Sequence, residues 1–279
     1  MAIEVRKAVP GDLPAIAAVA LANGQGEEWG GADPAYMTHL LAHGTVVVGV
    51  SGGSVIGFGA IRKLAIGAGT VSMLCDLFVD PGAHGSGCGR AMLAELWSAQ
   101  ENRMTFSSLH SSALPLYASF GVDAWWPLLY LHGPVNALTV PSGWRAEPAT
   151  PAQVARMELA WTGADRSDDH RAWARRPGGA SVLALRGSQV MAAGTVGGAG
   201  GEYGVTHLAV APAADAAAAV LVVLASLEGG TARVCLPGPH PAVRALLAAG
   251  WRVEEFDLFM ATEPGLLDPR RAVPSPALA

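Results

Sequence analysis

The chain has 279 residues, a formal net charge of −5 and 51% hydrophobic residues, and only 15% of its residues are charged. This composition is typical of one large or two medium globular domains and excludes a disordered chain. The mild acidity and the scattered Lys and Arg residues argue against nucleic acid or an anionic membrane as a partner.

The cysteines and the N-terminus indicate the compartment. Cys75, Cys88 and Cys235 are widely spaced and odd in number, which disfavours both a zinc site and a disulfide framework, so we expect a cytoplasmic protein. The opening sequence MAIEVRKAVPGDLP predicts a strand and a turn, not a signal peptide. The most apolar run, residues 216–227, is shorter than a membrane span of ~20 residues and predicts a buried helix. The abundance of Ala, Gly and Arg indicates a GC-rich bacterial genome.

Hydrophobic periodicity predicts alternating strands and helices in the first part of the chain. In chain order we expect a strand at 3–9, helices at 10–23 and 34–44, a hairpin at 45–64, a strand at 70–80, a helix at 90–103, a strand at 104–110, a helix at 112–121 and a strand at 125–133. This order predicts a mixed α/β (α+β) fold.

Four segments of the first part recur, in the same order, in the second part. The pairs are 8–21 with 149–161, 45–61 with 181–196, 77–81 with 208–212, and 113–121 with 242–250. Repeated segments in one order predict two copies of one fold. We expect domains at 1–135 and 145–279, joined by a linker at 136–144.

The two copies differ after the fourth predicted strand. Four glycines lie within the eight residues that follow Pro81, whereas the sequence AADAAAAVLVV after Pro212 has none. Glycines needed only for the fold would be present in both copies. Their presence in one copy favours a ligand-binding role there.

A strand, a glycine turn and a helix together suit an anion. The first N–H groups of a helix lack partners and carry partial positive charge, and glycines let a ligand approach the backbone closely. Arg90 adds positive charge. The stretch contains neither the GxxxxGK[ST] of a P-loop nor the GxGxxG of a dinucleotide-binding fold.

The sequence HGSGCG at 84–89 resembles motif A of the GNAT acyltransferase superfamily, Arg/Gln-x-x-Gly-x-Gly/Ala, with His84 in place of Arg or Gln. This resemblance implies that the loop holds the diphosphate of acetyl-CoA or another acyl-CoA, while the pantetheine arm pairs with the preceding strand. The implied cofactor-binding residues are Leu77, Phe78, Val79, His84, Gly85, Ser86, Gly87, Cys88, Gly89 and Arg90. His84 is either an exposed replacement or a phosphate partner, and we expect the Cys88 thiol to be buried and inert.

The segment ALPLYASFGV at 113–122 is similar to the family pattern A-x-x-x-Y-x-x-x-G-F. The resemblance implies that Tyr117 protonates the leaving thiolate; the alternative is a packed aromatic whose hydroxyl meets a carbonyl. His110 stands where the family often has Asn, which puts an amide contact to the cofactor in doubt.

A general base is expected because an amine acceptor arrives protonated. Asp76 lies inside an apolar strand, where a carboxylate is costly unless it is paired, so it is our candidate base; a structural hydrogen-bonding role is equally open. Asp80 is the other carboxylate of this strand. Glu27 and Glu28 lie in a region that often lines the acceptor site in the family, and they either recognise a cationic amine or are simply solvated.

Two further residue pairs have structural interpretations. His39 and His43, spaced i and i+4, could bind a metal, but no further ligand is evident, so we expect an ordinary surface or core role and no metal. Trp125 and Trp126 are expected in the core or at the seam between the copies.

These features predict a tandem GNAT fold, each half with a strongly bent sheet, in which the first copy is active and the second is a degenerate scaffold. The resemblance implies an acetyl-CoA-dependent N-acetyltransferase that acts by direct attack of an amine. We expect the acceptor to be a small-molecule amine rather than a protein. Two alternatives stay open: an acyl-CoA-binding regulatory module without turnover, and a mycothiol-synthase-like acetyltransferase. An oligomer is compatible with the sequence.

Overall fold

The structure is a computed structural model that describes residues 2–26, 32–66, 69–98, 102–199 and 202–278. The first half contains β1 (Glu4–Lys7), α1 (Leu13–Ala22), α2 (Pro34–His43), β2 (Thr45–Ser51), β3 (Ser54–Ile66), β4 (Gly69–Val79), α3 (Cys88–Leu96), β5 (Asn102–Ser107), α4 (Ala113–Ala118) and β6 (Asp123–Pro134). A short 3₁₀ turn, Val135–Ala137, lies in the connection to the second half.

The second half repeats the same order of elements. It contains β7 (Trp144–Ala149), α5 (Pro151–Thr162), α6 (Ser167–Ala174), β8 (Ala180–Arg186), β9 (Gln189–Ala199), β10 (Glu202–Val210), α7 (Ala216–Ala225), β11 (Thr231–Pro237), α8 (Pro241–Ala248) and β12 (Arg252–Ala261). The mixed α/β fold with two copies of one pattern is therefore confirmed.

Local sequence explains how helices of the second half begin. α5 starts at a capping box, in which the Thr150 hydroxyl accepts from the Gln153 N–H and the Gln153 side chain accepts from the Thr150 N–H. α7 starts at Asp215, whose carboxylate accepts from the Ala218 N–H. Seven of the ten residues of α7 are buried, so the predicted buried helix is confirmed. No helix in the described ranges is both long enough and apolar enough to cross a membrane.

The described strands form one twelve-stranded sheet in the order β1-β2-β3-β4-β5-β12-β6-β11-β10-β9-β8-β7. The last strands of the two halves are exchanged: β12 lies between β5 and β6, and β6 lies between β12 and β11. Most pairs are antiparallel, while β4 with β5 and β10 with β11 are parallel. The domain boundaries stay a prediction, because the halves share strands within one continuous sheet.

Apolar side chains cover both faces of this sheet. One core packs α1 and α2 against the first half, a second packs α3 and α4 against the same strands, and a third packs α7 and α8 against the second half. A fourth cluster crosses the exchanged strands and contains Trp126 and Phe259, whose rings stack with centroids 4.3 Å apart. Trp125 is 40% exposed and donates its indole N–H to the Ala261 carbonyl. Both tryptophans therefore lie at the seam, as expected.

Phe259 and Phe256 offer a matched test of the exchange, because both are on β12 and only Phe259 is fully buried. Phe259→Ala should lower the free energy of unfolding by about 3–5 kcal/mol, since it leaves a cavity between the halves. Phe256→Ala, at a position that is 43% exposed, should cost about 1 kcal/mol or less. Urea unfolding followed by circular dichroism measures both, and equal losses would contradict the described packing.

Candidate active site

The sheet opens where β4 and β5 separate. Cys75 is an extra residue in the β3–β4 register, a β-bulge that bends the strand, and the β4–β5 pairing ends at Leu74 and Thr105. β12 pairs with β5 only over its last four residues, 258–261. Residues 75–79 of β4 and 252–257 of β12 therefore have no strand partner on the sides that border this opening, within the described ranges.

The glycine loop lies at the end of β4. Gly85 and Gly87 adopt φ angles of 78° and 89°, which other residues rarely adopt, and Gly87 is the N-cap of α3. The N–H groups of Gly85, Gly87, Gly89 and Arg90 have no acceptor within the described part of the chain. This loop is a ready site for an anion at a helix N-terminus.

The other loop residues have defined contacts. The ring of His84 is exposed, donates from Nε2 to the Val79 carbonyl at 3.0 Å, and meets His110 edge-on at 5.9 Å. The Arg90 guanidinium lies 5.7 Å from the centroid of Phe120. The thiol of Cys88 is buried, as expected, and burial raises its pKa, so it is not a reactive group.

The strand residues before the loop divide between two cores. Leu77 and Val79 pack with the core beneath α3 and α4, whereas Phe78 packs beneath α1 and α2 with its ring 5.5 Å from that of Phe58. Asp80 accepts from the Gly82 N–H and shapes the turn. The Ser86 hydroxyl accepts a long hydrogen bond, 3.4 Å, from the Cys88 N–H.

Asp76 is buried and bonded to α2. The Tyr36 hydroxyl donates to Asp76 Oδ2 at 2.7 Å. Burial raises the pKa of Asp76 to about 6, and the hydrogen bond from Tyr36 partly opposes this increase. The carboxyl group is therefore poised near neutral pH, which suits the general base that the sequence predicted at Asp76; the hydrogen bond from Tyr36 was not predicted.

Tyr117 is buried on α4, with its ring 6.3 Å from that of Trp97. Burial raises its pKa, and the charges of Asp76 and Asp257 add to this increase. Its hydroxyl makes no hydrogen bond to any described residue, while its ring packs in the core beneath α3 and α4. The phenol thus keeps its proton and has an unused donor.

Asp257 is a site residue that the sequence analysis missed. It lies on β12, in the second half of the chain, yet its charge acts on Tyr117 in the first half. Its Oδ2 accepts from the Tyr130 hydroxyl at 2.7 Å, and burial raises its pKa. A cavity of about 470 Å³ adjoins it, lined by Ser108, Leu109 and residues 253–257. Only the strand exchange places this carboxylate here, and no local motif signals it.

The matching position of the second half is occupied differently. His207 stands where the first copy has Asp76, and its Nε2 contacts Glu158 Oε1 at 2.9 Å, while Glu158 Oε2 contacts His170 Nε2 at 2.7 Å. These three side chains are close enough to hold a metal ion, but Arg166 Nε lies 3.1 Å from the same carboxylate. Burial alone would raise the pKa of Glu158, but His207, His170 and Arg166 together lower it. The Glu158 carboxylate therefore already has a cationic partner in Arg166.

His39 and His43 face the second half. His39 Nε2 lies 2.7 Å from Asp169 Oδ1, and His43 Nδ1 lies 3.1 Å from Asp168 Oδ2. Asp169 also accepts from Arg62 at 2.8 Å. The histidine pair thus joins α2 to α6. Glu27 and Glu28, the predicted acceptor-site carboxylates, lie outside the described residues.

With this geometry in place, the class of the fold is defined: the chain has a tandem GNAT fold. Residues 42–122 match the model of the acetyltransferase (GNAT) domain family. No match was found among the curated proteins.

Solved structures show the same fold at low identity. A putative acetyltransferase from Pyrococcus horikoshii is 15% identical, with a TM-score of 0.73 over 99% of this chain and 94% of its own. A tandem GNAT protein from the clavulanic acid biosynthesis pathway is 16% identical, with a TM-score of 0.64 over 96% and 100% of the two chains. A GCN5-related N-acetyltransferase from Anabaena variabilis is 12% identical, with a TM-score of 0.67 over 93% and 72%.

The ion pairs of Asp169 predict acid sensitivity. Burial alone would raise its pKa, but His39, Arg166 and Arg62 together lower the pKa to about 2. The stabilisation is therefore present above the usual carboxyl pKa of about 3.9 and is lost as the pH falls through about 2. Asp169→Asn should lower the free energy of unfolding by about 3–5 kcal/mol at pH 7. Between these two pH values, the free energy of unfolding should depend less on pH in this variant than in the unaltered protein.

Asp168→Asn is the matched control, because Asp168 is the neighbouring residue on α6 and its side chain is 40% exposed. It should change stability by about 0.5 kcal/mol or less. Chemical unfolding at a series of pH values measures both variants. An acid dependence that is unchanged in Asp169→Asn would show that the carboxylate is not the sensitive group.

Proposed function

We propose that this chain transfers an acetyl group, or another short acyl group, from acyl-CoA to an amine. The observation that carries the proposal is the set of four main-chain N–H groups at the start of α3 that have no acceptor among the described residues, beside an edge of β4 that no described strand pairs with. A helix N-terminus with exposed glycines suits a diphosphate, and an open strand edge suits an extended amide-containing arm.

The first half fits acyl-CoA. Gly85, Gly87, Gly89 and Arg90 would hold the phosphate groups through main-chain N–H groups, and residues 77–79 would border the pantetheine arm. Positive φ angles at Gly85 and Gly87 support this assignment, because the second copy has no glycine at the start of α7. When bound, acyl-CoA supplies the acyl group as an activated thioester.

We propose that the second half does not bind acyl-CoA. The main-chain N–H of Leu208, on the edge of β10, donates to the Val273 carbonyl at 3.0 Å, so the chain's own later residues occupy this edge. The Arg271 guanidinium donates to the carbonyls of Val210 and Ala211, and Asp215 places a carboxylate at the start of α7. These contacts fill the strand edge and put negative charge where a phosphate would lie.

The side chains around the opening suit proton transfer. Asp76, with its pKa raised to about 6 by burial, is mostly ionised at pH 7 and would accept a proton from the acceptor amine at a carboxylate oxygen. Tyr117 keeps its proton because its pKa is raised, and its hydroxyl would donate to the departing group. Acceptance and donation are thus divided between two residues, and the charge of Asp76 helps to keep the proton on Tyr117.

The cavity beside Asp257 favours a small, cationic acceptor with an apolar part. Glu255 and Asp257 line it with carboxyl groups, Glu254 is paired with Arg233 at 3.8 Å, and Leu109 and Phe256 are 54% and 43% exposed and offer an apolar wall. We favour turnover over a binding-only module because Asp76 and Tyr117 are both placed for proton transfer. A mycothiol-synthase-like enzyme is disfavoured, because its second half is usually the active one and the glycine loop here is in the first.

A single glycine tests the anion site. Gly87→Asp introduces negative charge and a side chain at a positive φ, and should weaken acetyl-CoA binding at least about tenfold. Gly143→Asp is the matched control, because Gly143 has a φ of 80° and open space around it but lies between β6 and β7. Isothermal titration calorimetry should give one site per chain for Gly143→Asp and the unaltered protein. Equal affinities for both variants would remove the basis of the proposal.

Two substitutions separate the proposed proton donor from the base. Tyr117→Phe should lower kcat by about 100-fold and leave the affinity for acetyl-CoA unchanged. Asp76→Asn should lower kcat by about 100- to 10,000-fold. The rate of the unaltered protein should rise with pH through about 6, and Asp76→Asn should lose this dependence. Release of free CoA with a panel of cationic amines measures the rates.

Tyr203→Phe, on β10 of the second half, is the control for loss of a phenol. It should leave kcat and its pH dependence as they are. If Tyr117→Phe also retains full kcat with every amine that supports turnover, Tyr117 is not the proton donor.

A further inference from the structure

The last described residues of the chain connect the two halves. We call residues 271–278 the tail segment. Val273 is 1% exposed and packs in the core of the second half, whereas Leu278 is 2% exposed and packs in the core beneath α1 and α2 of the first half. The Arg166 guanidinium holds the Leu278 carbonyl at 2.9 Å. The tail segment is thus fixed at both ends.

Between these anchors, the tail segment reaches the hydrogen bond of the candidate base. The Tyr36 hydroxyl lies 2.7 Å from Asp76 Oδ2 and 3.3 Å from the main-chain carbonyl of Ala277. A phenol has one hydrogen, so it donates fully to one of these two acceptors at a time. The shorter distance shows that Asp76 is the acceptor in the described arrangement.

The second acceptor matters when Asp76 is protonated. A carboxylic acid has a hydrogen to donate, and the phenolic oxygen of Tyr36 can accept it. The Tyr36 hydrogen must then turn elsewhere, and a buried donor without an acceptor is costly. The Ala277 carbonyl is the acceptor in reach, so both states of Asp76 leave every donor of this group paired.

We propose that Tyr36 and the Ala277 carbonyl form a two-position hydrogen-bond switch that holds Asp76 in place whether or not it carries a proton. When Asp76 accepts a proton, its O–H donates to the Tyr36 oxygen, and the Tyr36 O–H turns from Asp76 to Ala277. When Asp76 releases the proton, both bonds reverse. Tyr36 keeps one proton throughout, so it is a positioning residue, and the tail segment is its partner.

The surroundings of Asp76 contain few other groups that titrate. Its charge acts on Tyr36 from α2, on Tyr117 from α4 and on Cys75 of its own strand. Further out, Arg176 acts on Tyr36, while Arg62 and Asp169 act on Cys75. Because burial raises the pKa of all three direct neighbours, they stay neutral while Asp76 titrates, so its titration reports mainly its own hydrogen bond.

The test measures the Asp76 titration directly, by ¹³C NMR of the side-chain carboxyl in the full chain, and so does not depend on acyl transfer. Tyr36→Phe removes the donor to the ionised state and should raise the Asp76 pKa from about 6 by about one pH unit. A variant that ends at Ser275 removes the Ala277 acceptor, which the protonated state needs, and should lower the pKa. Because the Ala277 carbonyl acts only through the Tyr36 hydroxyl, truncation of the Tyr36→Phe variant should leave the Asp76 pKa unchanged, whereas mere exposure of Asp76 to water would lower it in both backgrounds.

Two controls keep the test decisive. Tyr130→Phe removes the same kind of bond from Asp257 and should leave the Asp76 titration in place. Leu278→Ala loosens the tail segment without removing it and should lower the Asp76 pKa by less than the truncation does. If the truncated variant does not fold, Leu278→Ala takes its place in the test. A Tyr36→Phe titration that does not rise, or a tail variant that raises the pKa or leaves it unmoved, would overturn the switch.

This inference rests on the proposed function only for the use of Asp76 as a base. If the NMR titrations move as expected while no amine supports turnover, the switch stands and the proposed function fails. If turnover occurs but the pKa that governs the fall of the rate at low pH does not change with the Asp76 pKa measured by NMR, Asp76 is not the base. The same variants thus separate the two proposals.

Discussion

The exchange of the last strands is the constraint on which the rest of the structure depends. Main-chain N–H and C=O groups in a sheet must be paired, and an open edge in the middle of a protein is costly. Here β5 is covered by β12 and β11 is covered by β6, so each half completes the sheet of the other. The cluster around Trp126 and Phe259 is apolar for the same reason: it lies at the centre of the molecule.

This constraint also builds the opening between β4 and β12. The bulge at Cys75 turns β4 away from β5, and the short pairing of β5 with β12 leaves the facing edge of β12 free. Asp257 therefore borders the opening from the second half, while the candidate base, Asp76, comes from the first half. The ion pairs of Asp169 with Arg62 and His39 fix α6 against α2, the helix that carries Tyr36. The β5–β12 pairing and the ion pairs of Asp169 thus both join the two halves next to the opening.

The sequence predicted those parts of the molecule that depend on local patterns. The glycine loop, the helix at Tyr117 and the repeat of elements all follow from spacing and turn residues. α6 was not predicted, because its sequence SDDHRAWA has little apolar periodicity and its buried residues are mostly polar. Asn102 and Arg103 were predicted in a helix, but they pair with β4 as the start of β5. Asp257 could not be predicted, since its position depends on pairing with strands more than a hundred residues earlier.

The order of the strands is the same from either end, with the β6–β12 pair at the middle. Two identical subunits that traded their last strands around a twofold axis would show this order, so the chain has the architecture of a fused homodimer. In such an arrangement each copy must keep its last strand to complete the sheet of the other, whatever residues its own loops carry. The two copies differ in this way: four glycines precede or begin α3 and none immediately precedes or begins α7, whereas β6 and β12 both lie in the middle of the sheet.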